Sequence, residues 1–361
     1  MSLAFVAVGL AAFIGMAALA VDLGMLYVAR SQAQRAADAA ALAAGVEVWK
    51  FGGDHAAARA AAEQYGLEND ILGQPTVIRD EDVTFPSDDT VRVWVRRTRA
   101  RGNAVPTIFA RILGIDQVDV VTRAAARAFP AGGVDCVLPI MIPDRWEELG
   151  GNPAYYDDGI DRYQPWKNSD GTINSDYTGY SQADYGVQIT IRGFQNPGTA
   201  NSSWYYPFRQ PGMSGAADYR AAIRGENCGG ADSPDYDVND SVATEPGAMI
   251  GPTNQGFDDL IAMDPDAEWD EGKDCVINLT THPDGACVGS PRIRPMPLFD
   301  PTEVIDPGVS NVEITNFAAL FVEGVTSSGV TGRFMGYTGV HPGPQPDGSA
   351  GPLSVVIVLV E

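Results

Sequence analysis

Residues 3–21, LAFVAVGLAAFIGMAALAV, form an uncharged and mostly apolar run at the start of an otherwise acidic chain. As a helix rising about 1.5 Å per residue, a run of this length crosses roughly 30 Å, the thickness of a bilayer core. No Lys or Arg precedes the run and no A-x-A site leads into a change of composition, unlike in a secretory signal peptide. We therefore expect a membrane anchor or the core of a filament.

The residues after Asp22, LGMLYVA and RSQAQRAADAAALAAGVEVW, are rich in strong helix formers and contain no proline. They predict that one helix runs from about residue 2 to about residue 49. Its end is predicted at Gly52 and Gly53, where glycine relaxes the helical constraint.

Small residues recur along the apolar run, a composition that lets helices approach one another closely. Asp22 lies between two apolar stretches, so its charge is expected to need a partner, such as Arg30 or Arg35 of a neighbouring helix. These patterns favour self-packing over a lone anchor. The predicted helix-packing residues are Gly9, Gly15, Asp22, Gly24, Tyr27, Arg30 and Arg35.

The sequence as a whole predicts an α+β fold with three parts. They are a long N-terminal helix (1–50), a small α+β domain (51–129) and an acidic, β-rich and loop-rich domain (130–361). In the small domain we expect a helix capped by Asp54, a hairpin whose second strand alternates through Val91, Val93 and Val95, a short helix ending at Gly114, and a strand over 117–129. Residues 130–133, PAGG, are expected to link the two domains. Further strands are expected over 185–194, 274–281, 312–325, 330–340 and 353–361, the last of them central in its sheet.

The net charge of −23 is concentrated in residues 130–361, which hold 11 basic and 33 acidic residues, whereas residues 1–129 hold 13 and 14. Such a block repels phosphate, so nucleic acid is not an expected partner. An acidic surface that keeps the protein soluble outside a cell is the simpler interpretation, and calcium binding is the alternative.

The four cysteines, Cys136, Cys228, Cys275 and Cys287, lie in the acidic block without C-x-x-C spacing. An even number in a loop-rich exported segment predicts two disulfides. Three pairings are open. We prefer Cys275–Cys287 around a short turn, with Cys136–Cys228 joining the start of the block to its middle; four buried thiols are the alternative.

Ten Tyr and Trp residues lie between residues 155 and 206, interleaved with Asp, Asn, Ser and Gly. Such rings suit surface glycans or a protein partner, but core packing is the favoured interpretation. The same stretch places side chains with oxygen ligands on a glycine-containing loop. This loop is a candidate Ca²⁺ site, and Ca²⁺ is the one cofactor that the sequence suggests. Its residues are Asn168, Asp170, Asn174 and Asp176.

The sequence contains no G-x-S-x-G, H-E-x-x-H, Walker A or G-x-G-x-x-G motif, and its carboxylate pairs are expected by chance among 47 acidic residues. We therefore predict that the protein is not an enzyme.

Residues 20–45, AVDLGMLYVARSQAQRAADAAALAAG, resemble the N-terminal signature of TadG-like proteins of the Flp, or tight-adherence, pilus system. The matching positions are Asp22, Gly24, Tyr27, Gln32, Ala37, Asp38 and Ala39. Residues 105–128 also resemble these proteins. The resemblance implies bacterial origin, export across the inner membrane and a place in or near a cell-surface appendage, without a catalytic activity.

Two features depart from related proteins. Type IV pilins usually carry Glu at the fifth helix position, where this chain has Phe5, and the D-x-S-x-S metal motif of some TadG-like proteins is missing.

The predicted function is a structural subunit of an extracellular pilus-like filament, a homopolymer held by its N-terminal helices with an adhesive or surface role for the acidic domain. The inner membrane and the pilus assembly machinery are the expected earlier partners. The alternative is an assembly or adhesion factor that stays anchored in the inner membrane.

Overall fold

The chain divides into two compact units in a computed structural model, which describes residues 2–50, 55–87, 89–166, 168, 172, 174, 176–196, 198–228, 233–303, 305–306, 308, 310–339, 341–342 and 353–360. Unit 1 comprises Met1–Ala128 and Ile357–Glu361, and unit 2 comprises Phe129–Val356. The boundary lies one residue from the predicted one. The long helix is part of unit 1 and is not a separate domain, and unit 1 also includes the last residues of the chain.

Unit 1 contains two helices, short strands and a sheet in which the strands Val83–Ser87, Thr90–Arg97 and Val120–Asp135 pair antiparallel and the end of the strand Ser354–Leu359 adds beside Val120–Asp135. It also has single 3-10 turns at Asp80–Asp82, Arg99–Arg101 and Ala110–Leu113. The predicted cap Asp54 and the predicted stop at Gly52 and Gly53 lie outside the described residues. The elements are α1 (Ser2–Lys50), α2 (His55–Leu67), β1 (Asp70–Ile71), β2 (Gln74–Pro75), β3 (Val83–Ser87), β4 (Thr90–Arg97), β5 (Val105–Pro106), β6 (Gln117–Val118) and β7 (Val120–Asp135).

Helix α1 is continuous from Ser2 to Lys50, as predicted, but its Ala-rich half packs within its own unit. Its fully buried alanines recur every three or four residues, which places them on one helix face against α2 and β4. Small side chains allow this close approach: a Cβ at Gly45 would lie 3.3 Å from that of Ala126. The prediction that the whole helix packs against helices of other chains is therefore wrong for this half, which packs within its own chain. The buried alanines are Ala29, Ala33, Ala36, Ala37, Ala40, Ala41 and Ala44.

The sheet of unit 1 confirms the predicted hairpin, in which β3 and β4 pair antiparallel, and adds β7 beside β4. Val91, Val93 and Val95 point into the core, as their period-2 pattern predicts. Strand β7 does not end before residue 130. It continues through the predicted linker to Asp135, where it pairs with the strand at Asp235–Asp237, so the residues just past the boundary between the units belong to a strand.

Unit 2 is β-rich, as predicted, but contains two helices that the sequence analysis missed, besides a 3-10 turn at Gln182–Asp184. Its elements are β8 (Ile140–Pro143), β9 (Gln188–Gly193), β10 (Trp204–Pro207), α3 (Ala216–Arg224), β11 (Asp235–Asp237), β12 (Ser241–Ala243), α4 (Ile250–Ala262), β13 (Ala267–Asp270), β14 (Cys275–Asn278), β15 (Ile293–Phe299), β16 (Asn311–Thr326), β17 (Gly329–Met335), β18 (Tyr337–Thr338), β19 (His341–Pro342) and β20 (Ser354–Leu359).

Six strands of unit 2 form a closed sheet in the order β16-β15-β8-β10-β9-β17, with β17 pairing back to β16. The sixteen-residue β16 pairs with β15 over 314–321 and with β17 over 319–326, so it joins the two ends of the sheet. Helices α3 and α4 bury Tyr219, Ile223, Phe257 and Leu260 in the same cluster as the apolar strand residues. The final strand, β20, lies between β18 and β7, so its predicted central position is confirmed.

The aromatic residues between 155 and 206 mainly build the core of unit 2. Trp166, Trp204, Tyr205 and Tyr206 are fully buried, and Tyr206 packs between Phe194 and Phe299 in stacked and edge-on contacts. The core interpretation of this cluster is therefore confirmed.

Both preferred disulfides are confirmed. Cys136 pairs with Cys228 over a sequence separation of 92, and Cys275 pairs with Cys287 over a separation of 12. The longer loop restricts the unfolded chain more strongly, because loop-closure entropy grows with loop length.

We expect Cys136→Ser/Cys228→Ser to lower the free energy of unfolding of unit 2 by about 4.5 kcal/mol, and Cys275→Ser/Cys287→Ser by about 3 kcal/mol. Urea unfolding of the two double variants measures both values. A larger loss from the shorter loop would contradict the chain-entropy account.

Candidate functional site

The half of α1 before residue 28 is apolar, and most of its described side chains, which lie between residues 9 and 27, are exposed, in contrast to the buried alanines that follow. Five of its exposed residues are spaced by 3, 4, 3 and 4, the heptad spacing of a seam that packs against another helix. Phe13 and Tyr27, at its ends, are 71% and 77% exposed. We call this set the exposed stripe; it consists of Phe13, Met16, Ala20, Leu23 and Tyr27.

Asp22 is the one charged residue in this half of α1, and its carboxylate is held by the backbone of the same chain. It is only 2% exposed. Its oxygens accept hydrogen bonds from the amides of Ile108, Phe109 and Ala110 at 2.8, 2.9 and 2.5 Å. These amides open the 3-10 turn Ala110–Leu113, so Asp22 ties that turn to α1.

The predicted partner of Asp22, Arg30 or Arg35 of a neighbouring helix, is therefore replaced by three amides of its own chain. Burial works to raise the pKa of the carboxyl, but the three amide hydrogen bonds and the positive charge of Arg111 outweigh it. The pKa of Asp22 consequently lies below its usual value. The contact joins residues 86 to 88 positions apart, which no local sequence pattern reveals.

The other predicted helix-packing residues lie on different faces of α1. Successive helical residues are about 100° apart, which places Gly9 and Tyr27 on the line of the exposed stripe and Gly15 near the Asp22 face. Arg30 and Arg35 are exposed. A Cβ added at Gly9, Gly15 or Gly24 would meet no atom within 4 Å, so these glycines serve no close contact within the chain.

A second exposed apolar surface lies in the segment that Asp22 holds, and the sequence analysis missed it. Ile112 and Leu113 are 81% and 75% exposed at the tip of the 3-10 turn, which Gly114 ends with a φ of 82°. Short-range hydrogen bonds hold the segment, including the Ile115 amide to the Ala110 carbonyl at 3.1 Å. We call it the apolar loop; its exposed residues are Ile108, Phe109, Ile112, Leu113 and Ile115.

The predicted calcium loop is only partly described, since Asp170 lies outside the described residues. The amide nitrogens of Asn168 and Asn174 donate to Thr172 and Gln164 at 3.1 and 3.2 Å. The Asn174 side-chain oxygen accepts from the Asp176 amide. Where the chain is described, no three His, Cys, Asp or Glu side chains group as metal ligands, and calcium binding stays a prediction.

Asp144, fully buried at the end of β8, has the most strongly perturbed carboxyl among the groups described in unit 2. Burial raises its pKa to about 7, against the lowering effect of hydrogen bonds from the amides of Tyr180 and Arg145 and the hydroxyls of Tyr177 and Tyr163. All of these donors belong to the same unit. The network therefore ties Tyr163, Tyr177 and Tyr180 to the end of β8.

A shallow depression of about 260 Å³ lies beside α3. Its two carboxylates are engaged: Asp218 accepts from the Ser214 amide at 2.7 Å, and Glu226 pairs with Arg224. This depression adds no nucleophile or acid–base pair, and the prediction that the protein is not an enzyme remains a prediction.

We expect Asp22→Ala to release the apolar loop from α1, because three amides lose their common acceptor. Hydrogen exchange at the amides of residues 108–110 should accelerate at neutral pH. In the wild type the same contact should weaken only as the pH falls through the lowered pKa of Asp22. Asp38→Ala is the matched control, since Asp38 is another α1 carboxylate that accepts from Gln34. Unchanged exchange in Asp22→Ala would contradict the assignment.

We expect Asp144 to make unit 2 less stable as the pH rises from about 4 to 7. Its native pKa of about 7 lies above the ordinary 3.8, so the native state binds the proton more tightly. The slope from one such group is at most about 1.4 kcal/mol per pH unit. Urea unfolding measures the free energy of unfolding of the wild type and of Asp144→Asn over this range. The wild-type value minus the variant value should fall as the pH rises and level off above pH 7. A constant difference would exclude the shift.

Comparison with known proteins concerns α1. Residues 2–47 match the model of the family described as "Putative Flp pilus-assembly TadE/G-like", which confirms the resemblance over that segment. The match does not include residues 105–128, whose resemblance stays a prediction. No curated protein and no solved structure matches the chain.

Across the described residues, no helix has the length and apolar content that crossing a membrane requires, so the predicted transmembrane helix is not confirmed. What the comparison supports is a segment related to Flp pilus-assembly proteins, which agrees with association with the cell envelope or surface. The chain therefore carries, over residues 2–47, a TadE/G-like Flp pilus-assembly segment.

Proposed function

We propose that this chain is a structural subunit of a bacterial extracellular pilus-like filament, which assembles through the N-terminal half of α1. The observation that carries the proposal is the exposed stripe. Five residues at heptad spacing suit packing against a second helix, and the described part of the chain leaves them exposed. The family match over residues 2–47 supports a role in the Flp pilus system.

The division of α1 into two halves supports this role. The alanines from Ala29 to Ala44 bind the helix to its own unit, so the exposed half before them is presented from an anchored base. A helix held at one end and apolar at the other is suited to join a bundle, because the anchored part fixes the direction of the free part. The binding surface thus exists before a partner arrives, which lowers the entropic cost of assembly.

The charge distribution favours a filament in which the acidic residues lie away from the proposed contact between copies. Residues 130–361 carry a net charge of −22, whereas residues 1–129 are nearly neutral. Copies of this chain repel one another through the acidic part and approach most easily through the neutral part. In a filament, the acidic residues would then form the solvent-facing coat, with an adhesive or surface role.

The alternative proposal is an assembly or adhesion factor that remains anchored in the inner membrane. The nineteen-residue uncharged run at 3–21 is the observation that favours it. The two proposals differ in the wild-type product: a filament subunit is found in fibres sheared from cells, whereas an anchored factor stays with the membrane fraction. Pilus assembly machinery is an expected partner in both cases.

We expect Met16→Gln/Leu23→Gln to abolish fibres while unit 1 and unit 2 stay folded. Glutamine keeps helix propensity but removes apolar surface from the exposed stripe. Negative-stain microscopy and mass spectrometry of sheared surface material measure the fibres, and circular dichroism of the purified chain measures folding.

The matched control is Leu149→Gln/Leu279→Gln, which removes two exposed leucines of unit 2. Fibres from Met16→Gln/Leu23→Gln in wild-type numbers would refute assembly through the stripe. A wild-type chain found only in the inner-membrane fraction would refute the filament and favour the anchored factor. Deleting α1 is not a suitable test, because its alanines form the core of unit 1.

A further inference from the structure

The apolar loop projects apolar side chains from a segment that the protein holds in place. Strands β5 and β6 pair at its base, with Val105 opposite Val118. The Thr107 amide donates to the Asp116 carbonyl at 3.0 Å, and Asp22 holds the three amides at the start of the turn. Hydrogen bonds at both its base and its turn thus fix a surface that the described residues leave open to solvent, an arrangement typical of a docking surface.

The apolar loop and the exposed stripe occupy different sides of the same helix. The loop contacts α1 at Asp22, and the stripe is centred about 140° around the helix axis from that residue. One copy cannot bring its own loop onto its own stripe, because the helix lies between them. Each copy therefore presents two apolar surfaces that face away from one another.

We propose that the apolar loop of one copy docks on the exposed stripe of α1 in a second copy. This inference rests on the proposed function and names the partner surface for it. An apolar partner surface would bury the side chains of the exposed stripe, and the apolar loop exposes Ile112 and Leu113, which can form such a surface. The second copy is the favoured occupant because both surfaces belong to the nearly neutral residues 1–129, where copies of an acidic chain approach with least repulsion.

The arrangement determines the form of the assembly. A contact between two different surfaces is heterologous, so each added copy leaves one stripe and one loop open for the next copy. A stripe that packed against the identical stripe of another copy would instead form a closed, two-fold dimer. Loop-to-stripe docking therefore produces an open polymer from a single kind of contact, provided that the rotation from copy to copy does not close a ring.

Crosslinking between single-cysteine variants of the full chain tests the inference. All four natural cysteines are paired, so Tyr27→Cys and Ile112→Cys each add a reactive thiol on one of the two surfaces. The variants are mixed under assembly conditions and treated with a short bifunctional maleimide. We expect the Tyr27→Cys/Ile112→Cys heterodimer to exceed either homodimer by about tenfold, because docking raises the effective concentration of the two thiols.

Each other outcome overturns the inference in a recognisable way. A dominant Tyr27→Cys homodimer would show stripe-to-stripe packing, and a dominant Ile112→Cys homodimer would show loop-to-loop packing. If vesicles of phosphatidylethanolamine and phosphatidylglycerol protect Ile112→Cys from maleimide in the monomer, and the heterodimer is missing, the loop binds a bilayer. In these cases wild-type fibres would leave the proposed function intact, whereas a wild-type chain that forms no fibres would remove the proposed function itself.

A second variant keeps the test independent of crosslinking chemistry. Ile112→Gln/Leu113→Gln changes two side chains that are largely exposed, so folding should be unaffected, whereas fibre formation should be lost. The Leu149→Gln/Leu279→Gln variant serves again as the control. Normal fibres from Ile112→Gln/Leu113→Gln would overturn the docking of the loop.

Discussion

The buried carboxylate of Asp22 is the interaction on which the arrangement of unit 1 depends. It accepts hydrogen bonds from three backbone amides of a segment more than eighty residues away, and these bonds hold the apolar loop beside α1. A charge in an otherwise apolar helix is costly unless hydrogen bonds replace its water, and here the backbone supplies them. The change from the exposed to the packed part of α1 follows a short distance later, between Tyr27 and Ala29.

The sequence predicted the features that depend on local patterns. Helix propensity without proline predicted α1, and period-2 alternation through Val91, Val93 and Val95 predicted β4. An even cysteine count predicted two disulfides and left three pairings open, of which the preferred one is present. The heptad spacing from Phe13 to Tyr27 was also present in the sequence, but the recurrence of small residues drew attention to other positions. Periodicity over the exposed residues was the signal that could have found the stripe.

Other features could not be predicted because they arise from distant contacts. Asp22 resembled a charge that needed a partner in another chain, and only the fold brings residues 108–110 to it. Proline and glycines at 130–133 resembled a linker, yet β7 stays extended there, because β19 pairs with it at Ala131 and Gly133 and β11 pairs with it from Gly133 to Asp135. The Ala-rich half of α1 suited contact between chains as well as contact with α2, and composition does not distinguish the two.

Strands β7 and β20 both run from one unit into the other, which makes unit 2 an insertion within unit 1. The amide of Val360 donates to the carbonyl of Ala125, and Ile357 lies within reach of Gly45, so unit 1 is complete only when residues near 360 have joined it. During synthesis, α1 is made first, but its sheet is finished last. A nascent chain therefore cannot complete the packing around Gly45 of α1 until the whole inserted unit has been made.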